Sequence, residues 1–155
     1  MTIAVLGAGM VGRAIALDLA QDYSVTSFDL DATNLEELKS NNPAIQTVAA
    51  DLSLFDEYRN WLNTFDIVVT AVPGFMGYRT LAAVIGAGKD VVDISFFPED
   101  ALQLDEIARA KNVTVITDCG VAPGASNFII GRHNEDMKIT SFECYVGGLP
   151  AHPKP

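Results

Sequence analysis

The hexapeptide GAGMVG, residues 7–12, restricts what this chain can fold into more than any other stretch. It closes the apolar run TIAVL and opens Met10 to Asp22, where Val11, Ile15 and Leu19 recur at i+4 spacing with Arg13 and Asp18 off that line. Strand, tight turn and helix follow from that pattern. Gly7, Gly9 and Gly12 hold the G-x-G-x-x-G spacing, which alone is weak, because an ordinary βα turn also collects glycines. Here the next run, SVTSFD, ends on an acid, Asp29, seventeen residues after Gly12. Strand, glycine triplet, helix, strand and terminal acid together point to a dinucleotide site.

The alternation continues along the chain. Thr33 and Glu36 are spaced as a capping box opening a helix to Lys39. Ile45 to Ala50 reads as a third strand, a helix starts at Ser53, and DIVVTAV, residues 66–72, is apolar enough to be buried on both faces. Thr80 to Ala87 reads as a helix of small residues, Asp90 to Ile94 as the fifth strand, Pro98 to Lys111 as a helix, and Val113 to Thr117 as the sixth strand. Six strands alternating with helices predict an α/β fold, a doubly wound parallel sheet in three αβα layers, since parallel neighbours need right-handed crossovers. The domain is expected to span residues 1–137. From Lys138 the text becomes KITSFECYVGGLPAHPKP, β-rich and then proline-rich, and 138–155 is read as the first strand of a second domain cut short.

Composition narrows the ligand. The net charge of −10 would meet repulsion at a nucleic acid or an anionic membrane, so neither is an expected partner and a small molecule is. The apolar start lacks a basic flank and is soon interrupted by charge, which fits neither a signal peptide nor a span and suggests a cytoplasmic chain. Two cysteines and two histidines argue against a disulfide framework and against a metal site.

The chemistry of a dinucleotide explains the residue types. Gly7 permits the turn, Gly9 admits a pyrophosphate close to backbone, and Gly12 lets helix and strand pack, with the helix's positive end facing the phosphates. Contacts are expected from Gly7, Ala8, Gly9, Met10, Val11 and Gly12; from Asp29, Leu30 and Asp31 after the second strand; from Asp51 and Leu52 after the third; and from Ala71, Val72 and Pro73 after the fourth. Asp29 can accept both ribose hydroxyls of NAD and would repel the extra phosphate of NADP, with no arginine beside it to compensate, so NAD is favoured over NADP. Asp51 reads equally well as an adenine partner or as a turn acid beside Ser53.

At this point GAGMVGRAIALDLA, DLDATNLEEL, VVDIS, TDCGVAPGASN and YVGGLP together resemble the saccharopine dehydrogenase family, in its lysine 6-dehydrogenase-like branch, from Thr2 to Pro150. The resemblance implies a Rossmann domain joined to a separate domain for substrate binding and dimerisation, hence a homodimer in the complete protein, and oxidation of a carbon bearing an amine. The present chain would then be an isolated cofactor domain, inactive alone. It also implies that the second domain is of α+β type and that Asp93, Asp118 and Cys119 lie on the substrate side, none of them an obvious base.

Within VITDCGVAPGASN, no histidine motif activates Cys119, and hydride transfer needs no thiolate, so the cysteine reads as a pocket wall. Asp118 is as suited to orienting a loop as to touching substrate. The amides after Gly124 can face an anion, and Asn127 offers either a donor or packing. Cys144, inside the expected strand, reads as core. The rival reading is a regulatory NAD-binding module of the potassium-transport type, which has no need of the DCGVAPGASN or YVGGLP segments.

Overall fold

The computed structural model describes residues 1–147. The chain divides into two compact units, Met1–Asp118 and Cys119–Pro155. The first carries strands β1 (Thr2–Leu6), β2 (Ser24–Asp29), β3 (Gln46–Ala49), β4 (Ile67–Thr70), β5 (Asp90–Asp93) and β6 (Val115–Ile116), and helices α1 (Met10–Leu19), α2 (Ala32–Asn41), α3 (Tyr58–Leu62), α4 (Gly74–Gly86) and α5 (Asp105–Lys111). All strands are parallel, in the order β3-β2-β1-β4-β5-β6. The chain therefore reverses its winding at β1, and a crevice opens beyond the carboxyl ends of β1 and β4.

The strand sequences show why β1 and β4 are central. Ile3 to Leu6 of β1 and Val68 to Thr70 of β4 are buried in succession, and successive side chains point to opposite faces. Ala4, Leu6, Phe28 and Val68 meet Tyr58, Leu62, Leu81, Val84 and Ile85 on one side of the sheet. Ile3, Val5, Val25 and Val69 meet Ala16, Leu35 and Leu38 on the other. The expected three-layer αβα sheet is present, with α1 and α2 on one face and α3, α4 and α5 on the other.

The boundaries differ from expectation where caps and close approaches decide them. Helix α2 starts one residue before Thr33, because Asp31 is the N-cap, accepting the Thr33 amide at 2.8 Å; the Thr33–Glu36 capping box does not form. Ser53 begins no helix: its amide and hydroxyl both bond Asp51, at 2.9 and 2.7 Å, and a 3₁₀ turn, Phe55–Glu57, precedes α3. Pro98 and Glu99 lie ahead of a 3₁₀ turn, Ala101–Leu104, that Asp100 caps through the Leu102 amide at 3.0 Å. Helix α4 begins at Gly74, six residues ahead of Thr80. Gly77 makes this possible, since a Cβ there would stand 2.9 Å from the Ser95 Cβ and 2.6 Å from the Phe97 ring.

In the second unit, helix α6 (Ala125–Asp136) follows a bend at Gly124, whose φ of +138° suits glycine. The strand expected from Lys138 is absent from residues 138–147, and Cys144 is exposed rather than core. Among the described residues the unit has no named strand for that run to pair with, and a lone strand has no ladder to satisfy its backbone. Gly148, Leu149 and Pro150 of the GGLP segment lie outside the described residues.

Candidate functional site

The β1–α1 turn is shaped by three glycines with three different surroundings. Gly7 has φ +104°, and a Cβ there would stand 2.5 Å from the Ala71 carbonyl oxygen. At Gly12 a Cβ would be driven onto the Gly7 carbonyl and stand 3.3 Å from the Ala71 Cβ, so this glycine sets the approach of α1 to β1 and β4. Around Gly9, by contrast, there is nothing within 4 Å of an added Cβ. Gly9 is also the N-cap of α1 and supplies no side-chain acceptor. The first amides of the helix thus face open space with the positive end of the helix dipole behind them, which is what an anion requires.

Asp29 stands where β2 ends. Its carboxylate accepts the Ala8 amide at 2.6 Å and the Asp31 amide at 2.8 Å, so the glycine turn itself orients the acid. Asp51, after β3, lies across the same opening. The Ser53 hydroxyl and then its amide hold the Asp51 carboxyl below the usual carboxylate range, so the group is both a turn acid and a cleft acid.

These elements enclose a cleft of about 780 Å³ along the carboxyl ends of β1, β2 and β4. Its lining includes Gly7, Gly9, Met10, Val11 and Gly12 from the turn, Asp29 and Leu30, Asp51 and Leu52, and Ala71, Val72 and Pro73. Ala8 and Asp31, expected there too, are not part of the lining. Ala8 is fully buried and contributes its amide to Asp29, while Asp31 is committed to capping α2. The lining also includes Asn34, Ser53, Phe75, Met76 and Ile94, which residue chemistry did not single out. Phe75 and Met76 continue the PGFM run after Pro73, and Ile94 follows the β5 acid, so position at a strand's carboxyl end was the signal available for them.

None of the substrate-side candidates is among these lining residues. Asp93 is fully buried at the end of β5 and accepts the Thr70 hydroxyl through Oδ1, and the Ser95 hydroxyl and amide also favour its charged form. Burial pushes its carboxyl above the ordinary range, and the neighbouring Asp118 charge pushes the same way. Asp118 is exposed, with a left-handed φ of +58°. Cys119, Gly124 and Asn127 belong to the second unit. There Cys119 is half-buried, and the Asn127 side-chain oxygen accepts the Gly124 amide at 3.4 Å and the Ser126 hydroxyl at 3.1 Å. Asn127 thus serves the start of α6 as an acceptor.

Against known protein families, residues 3–116 match the model described as the saccharopine dehydrogenase NADP binding domain. The chain belongs to this family. It is 28% identical to saccharopine dehydrogenase [NADP(+), L-glutamate-forming] of Saccharomyces cerevisiae, over 96% of this chain and 35% of the relative. It is 26% identical to the α-aminoadipic semialdehyde synthase of Arabidopsis thaliana, over 96% of this chain and 16% of the relative. Among solved structures, the apo saccharopine dehydrogenase (L-Glu forming) of Saccharomyces cerevisiae superposes with a TM-score of 0.73 at 21% identity, covering 86% of this chain and 31% of that one. The chain thus spans about a third or less of the length of these relatives and carries the NAD(P)-binding Rossmann domain of an oxidoreductase family. Among the described residues no helix is long and apolar enough to cross a membrane.

Proposed function

We propose that this chain holds NAD for an oxidoreductase that acts on a carbon bearing an amine. The observation that carries the reading is Asp29, fixed by the Ala8 amide and facing the cleft beside the open space at Gly9. In this arrangement the amides at the start of α1 hold the pyrophosphate, Asp29 takes the ribose hydroxyls, and Asp51 with Leu52 borders the adenine. Pro73, Met76 and Ile94 then wall the nicotinamide half. The family's description and the names of its fungal members say NADP. Asp29 supports NAD instead, because a second negative group beside its carboxylate would meet like charge, and neither Leu30 nor Asp31 can neutralise it.

The bound nicotinamide supplies a hydride acceptor. The amine substrate gives up a hydride from carbon and a proton from nitrogen to become an imine, and water then releases a carbonyl compound and the free amine. Asp29 and Asp51 are engaged by backbone amides at the ribose end, so neither is the proton acceptor in this reading. Within the family, the lysine 6-dehydrogenase type is the reading favoured by the DCGVAPGASN segment, with assembly as a homodimer through the rest of the polypeptide. Calorimetric titration of the chain with NAD and with NADP tests the cofactor assignment: tighter binding of NAD is expected, and equal or reversed affinities overturn it.

A further inference from the structure

Among the described residues Asp93 is the one acid that the fold buries, at 0% exposure. Taking a carboxyl out of water is costly, and an apolar pair of similar shape would serve the stability of the sheet as well or better. Its neighbours show what the group is placed to do. Asp93 and Thr70 stand opposite one another in the β4–β5 register, and the Thr70 hydroxyl donates to the Asp93 carboxyl. At the same level the Ile94 amide donates to the Thr70 carbonyl at 3.1 Å, and among the described residues no backbone hydrogen bond joins the two chains beyond it. There the chains part. Thr70 runs on into Ala71, Val72 and Pro73, and Asp93 into Ile94, all of which line the cleft. On the other side of β4 the Ala71 amide bonds the Leu6 carbonyl at 2.8 Å, which ties the same segment to the strand that feeds the glycine turn. The Ser95 hydroxyl and amide also stabilise the Asp93 carboxylate, and Ser95 lies so close under α4 that a Cβ on Gly77 would stand 2.9 Å from the Ser95 Cβ. Met76, one residue before Gly77, is again a lining residue.

We propose that Asp93 is a positioning residue: through Thr70 and Ser95 it fixes the ends of β4 and β5 and the first turns of α4 relative to one another, and so sets the wall against which the nicotinamide ring lies. The inference rests on the cofactor reading above. Asp93 is not itself a lining residue, so it acts through Pro73, Met76 and Ile94. The glycine turn and Asp29, at the phosphate and ribose end, are held by other bonds and do not depend on it. A hydrogen bond prescribes a distance and a direction, which apolar packing between two strand ends does not, and this is the gain that offsets burying the acid.

The test compares NAD with ADP-ribose, which has every part of the cofactor except the nicotinamide. With NAD bound to the parent chain, saturation-transfer NMR is expected to mark the nicotinamide protons as well as the adenine protons. Thr70→Val removes the donor and keeps the shape, and the nicotinamide-to-adenine transfer ratio should fall roughly 5-fold, the change in the population of the positioned ring that loss of one hydrogen bond implies. The affinity for ADP-ribose, measured by calorimetry, should stay at the parent value. Thr70→Ser, which keeps the hydroxyl, should keep the parent ratio. An unchanged ratio in Thr70→Val, or a Thr70→Ser protein that behaves like Thr70→Val, overturns the inference. So does a parallel loss of NAD and ADP-ribose binding, because the pair would then serve the fold alone. A parent that binds NAD without marking its nicotinamide overturns the inference and leaves the cofactor reading intact, whereas failure of the parent to bind either ligand overturns both.

Discussion

Gly9→Ala and Gly12→Ala are three residues apart and should fail in opposite ways. At Gly12 the new methyl meets backbone: it lands on the Gly7 carbonyl oxygen, 2.9 Å from its carbon, and 3.3 Å from the Ala71 Cβ. Forcing that much volume into a packed contact costs about 3 kcal/mol, and the better helix propensity of alanine returns at most about 1 kcal/mol. A net loss of about 2 kcal/mol should appear as a lower urea midpoint, with weakened NAD binding as a consequence. At Gly9 the methyl meets nothing within 4 Å and the backbone already has φ −63°, which alanine adopts freely. Stability should therefore stay within about 0.5 kcal/mol of the parent. The methyl instead occupies the space into which the pyrophosphate must come, and a tenfold or greater loss of NAD affinity, about 1.4 kcal/mol, is expected by calorimetry. A Gly9→Ala protein that binds NAD like the parent, or a Gly12→Ala protein with an unchanged midpoint, refutes the division of labour between the two glycines.

Asp29→Asn should cost roughly tenfold in NAD affinity, because charge-assisted bonds are lost, and should narrow the preference for NAD over NADP; an unchanged ratio in competitive titration would contradict the charge argument. Asp93 is held above the ordinary carboxylate range, so the native state keeps a proton that the unfolded chain gives up. Stability from this group is complete below about pH 4 and is lost as pH rises through the raised native value, so the urea stability of the parent should decline over that window while Asp93→Asn lacks the decline; parallel profiles count against it. Tyr58→Phe removes the hydroxyl that donates to the Leu52 carbonyl at 2.7 Å inside the core, leaving an unpaired acceptor. A loss of about 1–2 kcal/mol is expected by chemical denaturation, and a loss below about 0.3 kcal/mol would show that water satisfies the carbonyl.

The order of strands and helices was legible because the central strands leave little freedom. A run such as Ile67 to Thr70, apolar and flanked by crossovers, fits only between two other strands and under helices on both sides. Helix starts were less legible, since Asp31 and Thr33 are both good caps two residues apart, and the chain's entry angle from β2 chooses between them. Gly74 and Gly77 read as loop residues by composition. They are helical because the segment after β5 packs so closely on α4 that only glycine fits, and that neighbour is about twenty residues away in sequence. The run after Lys138 shows the opposite failure: β-branched and aromatic residues describe a surface that could pair, and pairing needs a partner strand.

Within the site, the glycine turn was legible for a physical reason that the apolar lining lacks. Gly7, Gly9 and Gly12 answer to backbone constraints that no other residue type meets, whereas Met76 and Ile94 line the cleft only because β4 and β5 end beside it. The acids separate more sharply. Asp29, Asp31 and Asp51 share one functional group, yet Asp31 spends it on a helix cap, Asp51 divides it between a turn and the cleft, and Asp29 directs it by way of the Ala8 amide. That amide belongs to the residue between Gly7 and Gly9. The acid proposed to accept a ribose and the loop proposed to receive a phosphate are therefore one hydrogen-bonded unit, formed when β1 and β2 come into register at Leu6 and Phe28. In the proposed reading, cofactor choice and cofactor affinity are set together by that register.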